Sequence, residues 1–202
     1  LGVDGVSAVG IGLSGLVSPA SGTIPWSPLL IGDNLPVKEA LTQRLGLPTL
    51  VENDANMLTL AELWFGAGRA MSDFAVVTIE HGVGMGLVIG NRLYRGTRGM
   101  GMELGHIKVQ LDGALCRCGQ RGCLEAYLSD YALGREASTA LGRNPRNLAS
   151  PQAMLESLFA EAKAGNMTAR TIFKRAGRYL SVGLENVIQL FDPELIILSG
   201  ER

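Results

Sequence analysis

The sequence Glu103-Leu-Gly-His106 is followed by Cys116-Arg-Cys118-Gly-Gln-Arg-Gly-Cys123-Leu-Glu125, a segment that holds all 3 cysteines of the chain. One histidine and three cysteines supply the four tetrahedral ligands that structural Zn²⁺ sites use. The glycines between the cysteines allow the backbone to fold tightly around an ion. The alternative is three free thiols beside a core histidine. We predict a structural zinc site, with no open position for catalysis, formed by His106, Cys116, Cys118 and Cys123.

The composition predicts a globular protein in a reducing compartment. The chain has 202 residues, of which 47% are hydrophobic and 18% charged, and this core-rich balance excludes disorder. An odd number of clustered cysteines favours a metal site over disulfides, so we expect a cytoplasmic protein. The net charge of −1 gives no general attraction to nucleic acid or to an anionic membrane. The sequence has neither an apolar run of about 18 residues nor a signal-peptide pattern, so no membrane span is predicted.

Hydrophobic periodicity predicts strands and helices that alternate in the first third of the chain, with helices dominating later. This alternation predicts an α/β fold with helical additions. Because strands are predicted close to both ends, we expect a fragment of a longer protein, truncated at both ends. The predicted strands are Val6–Leu13, Pro48–Val51, Phe74–Ile79, Met85–Ile89 and Leu195–Leu198. The predicted helices are Val37–Leu45, Ala55–Phe65, Leu124–Leu141, Pro151–Ala164 and Thr168–Phe191.

The acidic segment Val51-Glu-Asn53-Asp54-Ala-Asn56 follows a predicted strand and opens a helix. A carboxylate at a helix N-terminus is stabilised there and can cap backbone amides. Taken alone, this position therefore favours a helix cap for Asp54 over a catalytic base.

Two glycine-rich segments are candidates for nucleotide binding. Gly10-Ile-Gly12-Leu-Ser-Gly15 has the spacing of a dinucleotide fingerprint, but turn residues follow it instead of a helix, and we reject the match. The second segment, Thr78–Gly86, lies between two predicted strands, where the backbone N–H groups of a glycine hairpin can cradle a phosphate. Its anionic Glu80 weakens that idea, and a plain hairpin is the alternative. The phosphate-loop-like residues would be Gly82, Gly84 and Gly86.

Together, these motifs resemble the ROK family (repressors, open reading frames and kinases) in order and spacing. The resemblance extends from the Gly10-Ile-Gly12 strand to Phe191-Asp-Pro-Glu-Leu-Ile-Ile, and its histidine–cysteine signature is specific to that family. It implies an actin-like/hexokinase-like (ribonuclease H-like) fold of two α/β lobes with a cleft, in which residues 1–202 form one sugar-binding effector domain. It further implies one set of sugar contacts: Asn53, Asp54, Glu103, His106 and Glu125.

The family contains both kinases and regulators. Kinase members carry an Asp-x-Gly-Gly-Thr loop near the N-terminus, which this chain lacks, and Gly-Thr-Gly-x-Gly where it reads Glu80-His81-Gly82-Val-Gly84. Negative charge and bulk at these positions disfavour ATP phosphates. The ending Ser199-Gly200-Glu201 also departs from the Gly-Gly-Gly of kinases. We therefore expect a non-enzymatic regulator, closest in character to the N-acetylglucosamine and xylose repressors.

The regulator interpretation implies several partners. A sugar or sugar phosphate would be the effector, operator DNA would bind a winged helix-turn-helix upstream of Leu1, and the protein would be a homodimer or homotetramer. His106 would give one ring nitrogen to zinc and present the other to the sugar. The alternative is a kinase that transfers phosphate from MgATP to a hexose or N-acetylhexosamine. In a kinase Asp54 would be the general base, whereas in a regulator it would only contact the ligand.

Overall fold

A computed structural model describes residues 5–142 and 151–200 and divides them into two compact units. In the described ranges, the first unit comprises residues 5–77, 85–102 and 194–197. The second unit comprises residues 78–84, 103–142, 151–193 and 198–200. Over these ranges, none of the helices has both the length and the apolar character needed to cross a bilayer.

Strands and helices alternate up to β3, the consecutive strands β4 and β5 follow, and helices dominate afterwards, which confirms the α/β class. The strands are β1 (Val9–Leu13), β2 (Thr49–Asn53), β3 (Phe74–Ile79), β4 (Val83–Ile89), β5 (Arg92–Tyr94) and β6 (Leu195–Ser199). The helices are α1 (Val37–Leu45), α2 (Asp54–Phe65), α3 (Glu125–Leu128), α4 (Asp130–Ala140), α5 (Pro151–Lys163) and α6 (Met167–Phe191). Strands β1 and β2 form a parallel pair, and the other four form a sheet in the order β5-β4-β3-β6, with β4 and β5 antiparallel.

The core of the first unit fixes the start of α2 against the sheet. Phe74, Val76 and Val88 are fully buried in one cluster, and Ala75 and Val77, which point to the opposite face of β3, are fully buried as well. Gly86 in β4 leaves no room for a side chain, since a Cβ there would lie 2.0 Å from Thr59 Oγ1. The close approach of β4 to α2 therefore explains this glycine by packing.

The second unit has a helical core that is separate from the cysteine segment. Leu158 of α5 and Ala169 of α6 are fully buried together with Ala137 of α4. Further along α6, Gly183 faces Leu124, and a Cβ at this glycine would lie 2.6 Å from the leucine Cδ2. Helix α6 thus supports the segment that carries the cysteines.

The structure differs from the sequence predictions at several points, beginning with strand β1, which was predicted from Val6 and starts at Val9. The helix predicted over Leu124–Leu141 breaks at Ser129, which is buried and extended (φ −67°, ψ 161°) and whose hydroxyl donates to the carbonyl of Glu125 at 2.8 Å. A hydroxyl that bonds the preceding turn offers the backbone an alternative to continuing the helix. Strand β5 was not predicted, although Gly90-Asn91 before it has positive φ at both residues, the conformation of a tight hairpin turn.

Candidate functional site

The second unit brings together the four residues that the sequence proposes as metal ligands. The ligand atoms of His106, Cys116, Cys118 and Cys123 all lie within 4.8 Å of one another. Cys118 Sγ is 3.7 Å from Cys123 Sγ, and Cys116 Sγ is 3.8 Å from His106 Nδ1. A tetrahedral ion with metal–sulfur bonds of about 2.3 Å requires sulfur atoms about 3.8 Å apart. The cluster therefore fits a four-coordinate metal ion and can hold one.

Backbone hydrogen bonds between residues close in sequence shape the loop between the cysteines. The N–H of Cys116 donates to the carbonyl of Gln120 at 2.8 Å, and that of Gly119 donates to the carbonyl of Cys116 at 3.0 Å. Gly122 has φ +76°, and a Cβ there would lie 1.7 Å from the carbonyl oxygen of Gln110. Only glycine fits this position without moving the backbone. The loop is thus folded so that its thiols converge.

The thiols of Cys116 and Cys123 are buried, that of Cys118 is exposed, and a lysine ammonium group lies beside Cys123. Burial raises the pKa of the Cys116 thiol to about 12, so this group is neutral at pH 7 unless a metal displaces its proton. Lys108 Nζ lies 3.1 Å from Cys123 Sγ and donates to the carbonyl of His106 at 3.2 Å. An ammonium group beside a thiolate offsets part of the negative charge of a tri-thiolate site. Sequence reasoning missed Lys108, although it lies only two positions after His106.

Two of the three carboxylates predicted to contact a sugar, Glu103 and Glu125, border the metal cluster in the second unit. Glu103 Oε2 lies 4.0 Å from His106 Nε2, whereas Nδ1 of the same ring faces Cys116. Glu125 Oε1 lies 3.6 Å from Cys116 Sγ, and Glu125 Oε2 accepts the N–H of Val83 at 3.2 Å. The imidazole thus has one nitrogen toward the thiols and the other toward a carboxylate.

A tyrosine that the sequence analysis did not single out links Glu125 to the cluster. The hydroxyl of Tyr131 lies 3.5 Å from Cys116 Sγ and 3.4 Å from Glu125 Oε1. Burial is the main cause that raises the pKa of Tyr131 above its ordinary value, so the group stays a neutral donor. The guanidinium of Arg117 covers the ring at 4.1 Å from its centroid, a cation–π distance. No periodicity or motif marks this tyrosine.

In the first unit, Asn53 and Asp54 lie at the junction of β2 and α2. Asn53 is the N-cap of α2, because its Oδ1 accepts the N–H of Asn56 at 3.1 Å, while its Nδ2 donates to the carbonyl of Gly15 at 3.0 Å. Asp54 accepts the N–H of Ala55 at 2.9 Å and a short hydrogen bond from the hydroxyl of Ser14. The capping role that the sequence assigned to Asp54 therefore belongs to Asn53, which leaves Asp54 in the first helical turn with Ser14 as its partner.

A second network supports this junction and involves residues that sequence reasoning missed. Glu52 Oε1 accepts the N–H of Asn53 and the Nδ2 of Asn56, both at 3.0 Å. Glu52 Oε2 accepts Nε of Arg95 at 2.5 Å. Because Glu52 and Arg95 lie 43 positions apart, no local pattern in the sequence reveals the pair.

The glycine hairpin between β3 and β4 is crowded near its turn. The N–H of Glu80 donates to the carbonyl of Gly82 at 2.9 Å, and a Cβ on Gly82 would lie 2.9 Å from Glu125 Oε2. His81 is 89% exposed, and its Nδ1 lies 3.7 Å from a carboxylate oxygen of Asp130. Gly84 lies within β4 and Gly86 packs on α2, so the three glycines do not line one open loop.

Comparison with known proteins identifies the family. The model of the ROK family matches residues 2–201. The chain belongs to the ROK family. It is 34% identical to a glucokinase of Streptomyces coelicolor over 204 aligned residues, which cover 96% of this chain and 64% of that protein. It is 30% identical to the xylose repressor of Caldicellulosiruptor bescii, covering 98% of this chain and 51% of the repressor.

The solved structures of this ROK family confirm the fold class. A ROK glucokinase from Streptomyces griseus, solved in complex with glucose and AMPPNP, matches with a TM-score of 0.83 and 38% identity over 96% of this chain and 65% of that one. The ROK chain described here therefore has the actin-like fold predicted from its sequence. Because its relatives include both glucokinases and repressors, the choice between these classes rests on the residues of the site.

Proposed function

We propose that this chain is the sugar-binding effector domain of a ROK transcriptional regulator, which binds a sugar or sugar phosphate without phosphorylating it. Residues 1–202 form that one domain, and a winged helix-turn-helix outside this sequence binds operator DNA. The protein acts in the cytoplasm as a homodimer or homotetramer. Effector binding shifts the population toward a conformation with a different affinity for DNA.

The observation that supports this proposal is that the hairpin between β3 and β4 lacks the features of a phosphate-binding loop. A phosphate needs free backbone N–H groups and no opposing charge. Here the N–H of Val83 already donates to the carboxylate of Glu125, and the turn exposes the carboxylate of Glu80. His81 adds bulk at the tip and lies beside Asp130. These features oppose binding of ATP phosphates by like charge and by occupied donors.

The sugar would be recognised by side chains that match adjacent hydroxyl groups. Carboxylates accept hydrogen bonds from hydroxyls, and an amide both donates and accepts. Polar groups left unpaired by a wrong ligand cost about 1–3 kcal/mol each, which gives such a site its selectivity. In a regulator, Asp54 is one of these contacts and abstracts no proton. The proposed contacts are Asn53, Asp54, Glu103, His106 and Glu125.

The metal proposed for the cluster is Zn²⁺ in a structural role. Three thiolates and one imidazole complete its preferred coordination and leave no open position. When bound, it supplies a fixed geometry to the cysteine loop and to the His106 ring. Because Nδ1 of His106 is turned to Cys116, the ring presents its other nitrogen, Nε2, on the side of Glu103. Metal binding thereby orients a residue of the proposed sugar site.

The experiment that tests the proposal measures binding and turnover together. The full-length parent protein is titrated calorimetrically with a panel of sugars and sugar phosphates, with and without MgATP, while ADP release is followed in parallel. We expect a heat that saturates near one equivalent and no sustained ADP release, and Asp54→Asn is expected to weaken binding. Continuous ADP release that depends on sugar and is lost in Asp54→Asn would overturn the regulator proposal in favour of a kinase.

A sugar kinase is the second candidate, in which the exposed carboxylate of Asp54 would be the general base. Its carboxylate is oriented by Ser14 at the N-terminus of α2. General-base catalysis contributes about 10²–10⁴-fold in rate, so Asp54→Asn would lower kcat by about that factor in a kinase. The double variant Glu80→Gly/His81→Thr removes the obstructing side chains of the hairpin. Under the regulator proposal, ATP binds to this variant more tightly than to the wild-type protein.

A further inference from the structure

The hydrogen-bond network around Glu52 connects Arg95, which lies 43 positions further along the chain, to the proposed sugar contacts Asn53 and Asp54. We propose that Arg95 is a positioning residue for sugar binding, which acts through Glu52 on Asn53 and Asp54. This inference rests on the proposed sugar site, but it holds equally for a regulator and for a kinase. Neither Arg95 nor Glu52 needs to touch the sugar for the effect.

The contacts form one continuous chain of hydrogen bonds. Arg95 Nε donates to one oxygen of Glu52 at 2.5 Å, and the other oxygen accepts the backbone N–H of Asn53 and the side-chain amide of Asn56 at 3.0 Å. The side chain of Glu52 is 16% exposed and that of Arg95 is 36% exposed. A charge-assisted hydrogen bond between partly buried groups is stronger and more directional than an exposed ion pair.

Glu52 holds the first turn of α2 at two points. Asn56 lies in that turn, and its own backbone N–H donates to Oδ1 of Asn53. Asn53 is therefore held through its N–H by Glu52, through Oδ1 by Asn56 and through Nδ2 by Gly15. Asp54 follows directly, so its direction depends on how this turn is fixed. Without Arg95, a largely buried carboxylate would lose the cation that compensates it.

The segment that carries Arg95 is itself anchored within the first unit. Gly99 has φ +70°, and a Cβ there would lie 2.0 Å from the carbonyl oxygen of Val17. Val17 in turn belongs to the segment whose Ser14 and Gly15 bond Asp54 and Asn53. Three stretches of chain thus hold one another around the start of α2. Arg95 is built into this arrangement, which distinguishes it from a flexible surface arginine.

The test compares variants of Arg95 with a matched control on the same strand region. Arg95→Gln removes the cation, Arg95→Lys retains it, and Arg92→Gln makes the same charge change at an exposed position of β5. In calorimetric titration of the full-length protein, we expect Arg95→Gln to weaken sugar binding by about tenfold, as fits loss of one charged hydrogen bond. Arg95→Lys should recover part of this loss, and Arg92→Gln should bind as the wild-type protein does.

A double-mutant cycle tests whether Arg95 acts through Glu52. If it does, Glu52→Gln and Arg95→Gln combined weaken sugar binding no more than the stronger single variant. Additive losses would overturn the proposed route. Equal sugar affinities of Arg95→Gln and Arg92→Gln would overturn the positioning role itself.

A ligand-free measurement separates this inference from the proposed function. Amide hydrogen exchange over residues 53–58 should be faster in Arg95→Gln than in the wild-type protein and unchanged in Arg92→Gln. If the wild-type protein binds no sugar, the proposed function fails, while faster exchange in Arg95→Gln still supports the link to α2. Unchanged exchange in Arg95→Gln would overturn the link whether or not sugar binds.

Discussion

The buried thiol of Cys116 is a proposed metal ligand whose protonation opposes metal binding. Burial raises its pKa to about 12, so the metal-free chain holds a neutral thiol there at pH 7, and an arriving metal must displace that proton. Each proton released makes metal affinity rise by about tenfold per pH unit while the pH stays below the pKa. We therefore expect Zn²⁺ affinity to increase steeply from about pH 6 to pH 8.

The measurement is a Zn²⁺ titration of the protein against a competing chelator at several pH values. Cys116→Ser is the matched variant, because it removes one ionisable ligand and should both weaken binding and reduce the slope with pH. An affinity that does not change with pH in the wild-type protein would contradict a site formed by thiols.

The loop between the cysteines contains two glycines that differ in how much space surrounds them. Gly119 and Gly122 both have positive φ, but a Cβ on Gly119 meets no atom within 4 Å, whereas one on Gly122 would lie 1.7 Å from the carbonyl of Gln110. Gly119→Ala should therefore cost only the strain of a left-handed alanine, about 1–2 kcal/mol. Gly122→Ala should cost more and displace Cys123.

Metal content and chemical unfolding distinguish these two variants. We expect Gly119→Ala to retain nearly one equivalent of Zn²⁺ and Gly122→Ala to lose most of it under the same chelator challenge. Equal retention by both variants would show that the close approach to Gln110 does not hold the loop in shape.

The elements that sequence patterns reveal are those whose signals are local. Strand β3 and helix α1 were predicted at both ends because apolar periodicity marks them directly, and the four cluster residues converge because three of them share one loop. The break between α3 and α4 was missed, since it depends on the hydroxyl of Ser129 bonding one turn back. The pairing of Glu52 with Arg95 joins segments that meet only after folding, and no periodicity within either segment records it.

The structure predicts which parts of the molecule lose stability when the metal is removed and which parts do not. The cysteine cluster packs with Ala126 and Tyr127, whereas the helical core of the second unit is formed by other residues of α4, α5 and α6. Metal that binds only the folded loop stabilises it by an amount set by metal concentration and affinity. Chelation should therefore loosen the loop and its neighbours before it affects the helical core.

Hydrogen exchange of the intact protein with and without chelator tests this division. Faster exchange is expected over residues 106–128, while the amides around Leu158 and those of β3 in the first unit keep their protection, because their cores contain no proposed metal ligand. Cys123→Ser should reproduce the exchange pattern of the chelated protein without any chelator. If chelation instead exposed α5 and β3 together with the loop, the metal would support cooperative folding of the whole chain, and its role would not be limited to shaping the site around His106.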